Sequence, residues 1–232
     1  GSVVKQGPTK EEANSTSTHK GIVYLDPTDL NKTCTKEMAE SNVNENGTST
    51  EIKTGCMKWY IFNDDGDNYT MILDHNTTAL IIWNDDNKNV SYEESNLYEV
   101  VQDLKTTSGW IVEPRLITAE EITTITGKTD FDSTNISSRY YFDSNNQTQT
   151  ATTQGSSKYA WLFDYTNGCT SDGCNIADTS TFGYWTSTTF GTAGSNTDVW
   201  HANGDGHLYS GYASRNDIGI RPVITISKSI IG

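Results

Sequence analysis

A chain of 232 residues with a formal net charge of −14, 30 acidic against 16 basic residues, offers no basic patch for nucleic acid or an anionic membrane surface. Only 34% of the residues are hydrophobic, yet 12 Tyr, 6 Trp and 6 Phe are among them, which excludes a disordered polar tract and points to a fold built around aromatic side chains. No run of eighteen apolar residues occurs, so direct membrane insertion is not expected. The opening Gly1-Ser2 reads as a cloning remnant, which leaves an upstream signal peptide, pilin-type helix or anchor open.

In chain order, residues 1–20 are polar and without period and read as a flexible leader, followed by one domain over 21–232. A short β-prone run occupies 21–25 and closes at Asp26-Pro27. The polar stretch 35–54 reads as a loop clipped between Cys34 and Cys56, and residues 57–62 and 69–73 form a strand pair around a turn holding Asp64, Asp65 and Asp67. Those carboxylates suggest calcium, but the loop lacks the length and the later glutamate of an EF-hand, and Asp-Gly between strands is hairpin chemistry. Two short helices follow: one capped by Ser91 and Glu94 with Leu97, Val100, Val101 and Leu104 at helical spacing, the other capped by Thr118 and Glu121 and stopped at Gly127. Beyond Tyr140 the helix signals give way to aromatics alternating with Gly, Ser, Thr and Asn, which predicts a loop-rich antiparallel sheet and an α+β fold.

The four cysteines fall as two sequence-local pairs, Cys34 with Cys56 and Cys169 with Cys174. An even number suits two disulfides in an oxidising compartment, hence an extracellular or cell-surface location; a metal or redox reading of the closely spaced second pair is the alternative. Triplets beginning at Asn46, Asn76, Asn89 and Asn135 match the glycosylation acceptor pattern.

The frame Tyr184-Trp-Thr-Ser-Thr188 and Gly219-Ile-Arg-Pro-Val-Ile-Thr-Ile226, with Arg115-Leu-Ile-Thr-Ala-Glu120 upstream, resembles bacterial proteins of the C-type-lectin-like fold. These include the formylglycine-generating-enzyme-like branch and variable proteins diversified by retroelements. The resemblance implies that the terminal strands pair, here 21–25 beside 221–227, and that a long C-terminal region presents ligand contacts. Cys169 and Cys174 do not match the cysteine pair of the enzyme branch, and Trp83-Asn84-Asp85 lies in the wrong place for the calcium site of mammalian-type lectins. The implied function is non-catalytic binding of a protein or glycan on another surface, with no cofactor; an accessory enzyme and a pilin or adhesin tip are the alternatives.

On this reading the ligand meets Phe190, Asn196, Asp198, His201, Asn203 and Asp205, together with His207, Tyr209, Tyr212, Ser214, Asn216 and Asp217. If Trp200 and Leu208 pack inward, strand alternation carries His201 and His207 to the opposite face, which is expected to be exposed. Tyr and His supply contact area with few rotatable bonds, and Asn and Ser adapt their hydrogen bonds, as in antibody loops. A metal set of His201, Asp205 and His207 is the sharper alternative. Arg221 is expected to meet a carboxylate inside the scaffold.

Overall fold

Two five-stranded sheets share one apolar layer in the computed structural model, which describes residues 7–45, 52–143, 158–163, 183–204 and 206–232. The first sheet is antiparallel, in the order β1 (Thr9–Glu12), β2 (Gly21–Leu25), β3 (Met57–Asp64), β4 (Asn68–Leu73) and β10 (Val223–Ser227). Strand alternation splits its side chains: Ile22, Tyr24, Tyr60, Phe62, Ile72 and Val223 face the second sheet. Val23, Leu25, Trp59, Ile61, Met71, Leu73, Ile224 and Ile226 face a separate cluster covered by Leu104, Trp110 and the C-terminal Ile230 and Ile231. Both faces are buried, which is why 57–62 is apolar at every position but Lys58.

The expected hairpin forms. Asp65 Oδ1 accepts from the amides of Asp67 and Asn68 at 2.9 and 2.7 Å, and Asp64 Oδ1 accepts from Gly66 N at 2.9 Å. The turn's own amides thus occupy oxygens that a cation would need.

Three expectations fail in this half. Residues 9–12, taken for leader, form the edge strand β1, zipped to β2 from Thr9↔Tyr24 to Glu12↔Gly21. Strand β2 does not pair with the C-terminal strand: β3 and β4 lie between them, and β10 adds to the free edge of β4, where the Thr70 and Thr225 hydroxyls meet at 2.9 Å. The physical reason is that the β3–β4 hairpin closes locally and leaves only its outer edges for later strands. Chain closure comes instead from the tail, where Gly232 N donates to Pro8 O at 2.9 Å. The supposed loop after Cys34 contains helix α1 (Lys36–Glu45); with Ala39 and Val43 its only buried apolar residues, periodicity gave little to read. Asn42 Nδ2 ties it to the carbonyls of Thr54 and Cys56, and the Cys34–Cys56 disulfide fixes its start.

Helix α2 (Asn96–Thr106) begins one turn later than expected. Ser95, not Ser91, caps it by accepting from Leu97 N, while Ser91 and Glu94 close the preceding 3-10 turn through an Oγ–Oε2 bond of 2.9 Å. Helix α3 (Ala119–Thr126) forms as expected, with the complete Thr118–Glu121 capping box and Gly127 in the left-handed conformation at its end. Glu121 also receives Arg115 through two bonds of 2.7 and 2.8 Å.

The second sheet runs β5 (Tyr140–Tyr141), β8 (His207–Tyr212), β7 (Asp198–Asn203), β6 (Gly183–Thr189) and β9 (Ile218–Gly219), antiparallel except for the β6–β9 pair. Within the stretch beyond Tyr140, where no helix is expected, residues 160–163 form a single helical turn, α4 (Ala160–Phe163). Tyr184, Trp200, Ala202 and Leu208 close the layer against the first sheet. Trp185, Val199, Ala213, Ile218 and Ile220 pack on Trp83, Leu97, Val101 and Leu116. Gly183 permits the close β6–β7 approach, since a Cβ there would sit 2.0 Å from Ala202 O.

Arg221 is fully buried at the junction, but no carboxylate among the described residues meets it. Its Nε donates to Leu73 O at 2.5 Å, its Nη2 donates to Trp161 O at 2.6 Å, and the guanidinium stands 5.3 Å from the Tyr184 ring centre. Carbonyl dipoles and an aromatic face take the place of the expected ion pair. Burial pushes the Tyr184 hydroxyl up to about 12, against the opposing pull of Arg221, and that hydroxyl donates to Leu162 O.

Candidate functional site

Cross-strand register settles where the expected contact residues go. Val199, His201 and Asn203 share a face with Gly211, Tyr209 and His207, opposite Trp200 and Leu208. Alternation holds, but that face is covered rather than exposed. His201 is 0%, Asn203 2% and His207 8% accessible, which corrects their assignment as surface contacts. His201 is covered by Trp185, whose ring centre lies 5.5 Å from its own, and by Arg215, whose guanidinium reaches within 3.4 Å of His201 Nε2, and His207 by the Tyr141 ring at 4.6 Å. Gly211 makes room for this: a Cβ would fall 2.9 Å from His201 Nε2 and 3.1 Å from Arg215 Cδ.

Burial holds the His201 pKa well below its usual range, and the Arg215 and His207 charges act in the same direction. A neutral imidazole beside a guanidinium is poorly placed to hold a cation. Among the described residues no three His, Cys, Asp or Glu side chains are grouped to hold a metal ion. Asp205, Cys169 and Cys174 lie outside the described residues.

Other expected contacts are committed to the scaffold. Phe190 stacks on Trp200 with centroids 6.0 Å apart. Tyr209 lies under the Arg139 guanidinium at 3.8 Å, and the same arginine bonds Ser210 and approaches Asp198 at 3.6 Å. Asp217 pairs with Arg215 through bonds of 2.8 and 2.7 Å. What remains exposed is Asn196, Tyr212, Ser214 and Asn216, with Tyr212 at 61%. Sequence reasoning passed over their exposed neighbours Thr192, Ala193 and Ser195.

These residues sit on two loops, 190–197 and 212–217, held by a third segment, 84–89. Asn89 is fully buried and bonds the first loop from both backbone and side chain. Its N–H donates to Asn196 O at 2.9 Å, its carbonyl accepts from Gly194 N at 2.8 Å, its Nδ2 donates to Phe190 O at 2.8 Å, and its Oδ1 accepts from Asn196 N at 2.9 Å. Asn84 N donates to Ala213 O and Asn87 Oδ1 accepts from Ser214 N, which fixes the second loop. An Asn89 amide in this position is not a free glycosylation acceptor, and neither is the buried Asn76. The run of Asn and Asp at 84–89 was the available signal, since these residues satisfy backbone groups locally. Beside the first loop lies an open groove of 680 Å³ lined by Ser91, Tyr92, Arg115, Glu121, Ser187 and Ala193 among others. The buried Tyr92 hydroxyl has no hydrogen-bond partner among the described residues.

No family model matches the chain, and no match emerges among curated proteins or solved structures. What stands is a mixed α+β protein with two sheets, four helices among the described residues and one described disulfide. Among those residues no helix is long and apolar enough to cross a membrane.

Proposed function

We propose that the chain is a non-catalytic binding protein of the C-type-lectin-like type, secreted or exposed on a cell surface, which meets a protein or glycan through loops 190–197 and 212–217. The observation that carries this reading is the Asn89 clamp. Loop 190–197 takes its shape chiefly from backbone bonds to one buried side chain and its backbone, so Thr192, Ala193 and Ser195 can change without loss of the fold. A preformed backbone also lowers the entropy lost when a ligand orders the surface. The Cys34–Cys56 disulfide supports an oxidising compartment. The contact set is smaller than the sequence implied: Thr192, Ser195, Asn196, Tyr212, Ser214 and Asn216, with His201, Asn203 and His207 acting as support from below.

The test replaces those six contact residues together by alanine and compares both proteins on arrays of extracellular proteins and glycans. The expected result is loss of every target bound by the unaltered protein, with the melting temperature held within a few degrees. Retained binding by the six-alanine protein overturns the proposal.

A further inference from the structure

We propose that residues 214–217 form an acid-sensitive latch on the binding face: protonation of His201 expels the Arg215 side chain, and the segment opens and withdraws Ser214 and Asn216 from a bound ligand. The release of ligand rests on loop 212–217 being a contact surface; the opening itself does not.

Arg215 bonds in two directions. Its Nε and Nη2 hold the Asp217 carboxylate at 2.8 and 2.7 Å, while its Nη1, on the opposite edge of the guanidinium, lies 3.4 Å from His201 Nε2. Arginine has five donors and no acceptor, so this contact is a hydrogen bond only while Nε2 is bare and the ring neutral. A proton on Nε2 sets donor against donor and charge against charge, at a ring that is fully buried. Around that ring β6 presents Trp185, β7 presents Asn203, and β8 presents Tyr209 with His207 at 5.1 Å from it; Arg139 stands over Tyr209 with Asp198 as its own partner. Among the described groups no carboxylate bonds the ring, and Asp217 lies beyond the guanidinium, 39% exposed.

The segment that carries Arg215 hangs between two fixed points. Ala213 is anchored at both backbone groups, its N donating to Thr197 O at 2.7 Å and its O accepting from Asn84 N at 3.1 Å, and Ile218 O accepts from Ile81 N at 2.9 Å. Between them Ser214 N reaches Asn87 Oδ1 at 3.2 Å and Arg215 N closes a turn on Tyr212 O at 3.0 Å, with Ser214 and Asn216 exposed. Burial favours the neutral His201 ring while the latch is closed. In the open form the ring regains water and its ordinary affinity for protons. Closure is therefore whole above a pH of about 6.5 and weakens as pH falls below it, by up to about tenfold per pH unit. Loop 190–197, held by the neutral amide of Asn89, has no such dependence.

Heteronuclear NMR of the full chain, acidified stepwise from neutral pH until it unfolds, tests this by reading the His201 ring nitrogens and the backbone order parameters together. The expected result is a fall at Ser214, Arg215 and Asn216 from the rigid range of about 0.85 to below about 0.6, in step with protonation of His201, while Ala213, Ile218 and Asn196 stay rigid. In His201→Gln and in Arg215→Gln the step with pH is expected to disappear, whatever the starting value. The second variant keeps the ring and removes the opposing charge, so the test stands even where the first fails to fold. Protonation of His201 with residues 214–217 still rigid, a His201 that stays neutral until the whole chain unfolds, or a step that persists in Arg215→Gln overturns the proposal. No ligand enters the measurement, so its failure leaves the assignment of the contact loops untouched.

Discussion

The two sheets bury their strands by different chemistry. In the first, both faces are aliphatic and aromatic, and each strand that is buried announces itself as an apolar run. In the second, the face shared with the first sheet is apolar, but the opposite face of β7 and β8 carries His201 beside the Arg215 guanidinium, Tyr209 under that of Arg139, His207 against the Tyr141 ring, and the buried Asn203. Polar composition there marks covered stacking, and exposure begins only at the loops beyond the strand ends. Polar side chains are therefore a poor guide to surface where cationic side chains fold back over aromatic and imidazole rings.

The comparison breaks first at the junction of the sheets. Replacing Arg221 by Met leaves Leu73 O and Trp161 O without their buried donor, an expected loss of roughly 2 to 5 kcal/mol by chemical denaturation. Opening the Cys34–Cys56 link by replacing both cysteines with serine acts on the first sheet and α1 alone. With the cysteines 22 positions apart in sequence, about 3 kcal/mol is expected, read as a fall in Tm on the order of 10 °C. Asn89→Ala acts on the second half and is expected to cost about 1 to 3 kcal/mol, with hydrogen exchange at Asn196 N rising while the β3–β4 amides stay protected.

Acidity separates the two regions as well. His201 is held neutral in the fold, so the unfolded chain takes up the proton first. Its contribution to stability is whole above the unfolded pKa of about 6.5 and falls as pH drops below it, by up to about 1.4 kcal/mol per pH unit. His19, lowered chiefly by burial, adds a weaker slope of the same sign. His201→Gln is expected to flatten denaturation midpoints measured between pH 6.5 and 5; an unchanged slope contradicts the buried neutral ring. Smallest of all, Tyr212→Ala is expected to shift stability by less than about 0.5 kcal/mol, measurable only as lost binding.

Legibility in the sequence followed the same division. The β3–β4 hairpin and α3 were plain because hydrophobic pattern, turn chemistry and capping agree there. Helix α1 was hidden because only Ala39 and Val43 bury an apolar surface, and α2 slipped by a turn because Ser91 and Ser95 both close a turn, one 3-10 and one α. The β2–β10 pairing failed because register among non-local strands depends on which edge is free, a property of assembly rather than of either segment. In the candidate site, alternation placed His201 and His207 on one face correctly, but whether a face is covered depends on Arg215, Trp185 and Trp83, residues distant along the chain. Asn89 was visible as one of many asparagines; its role requires the loop it holds.

The central claim is that the backbone of loops 190–197 and 212–217 is fixed from below while their exposed side chains are interchangeable. A surface-displayed library randomised at Thr192, Ala193, Ser195, Tyr212, Ser214 and Asn216, sorted for protease resistance and matched against an equal library at Val199, His201, Asn203, His207, Tyr209 and Gly211, measures this directly. The account predicts that most loop variants resist protease and few strand variants do. Comparable survival of the two libraries contradicts it.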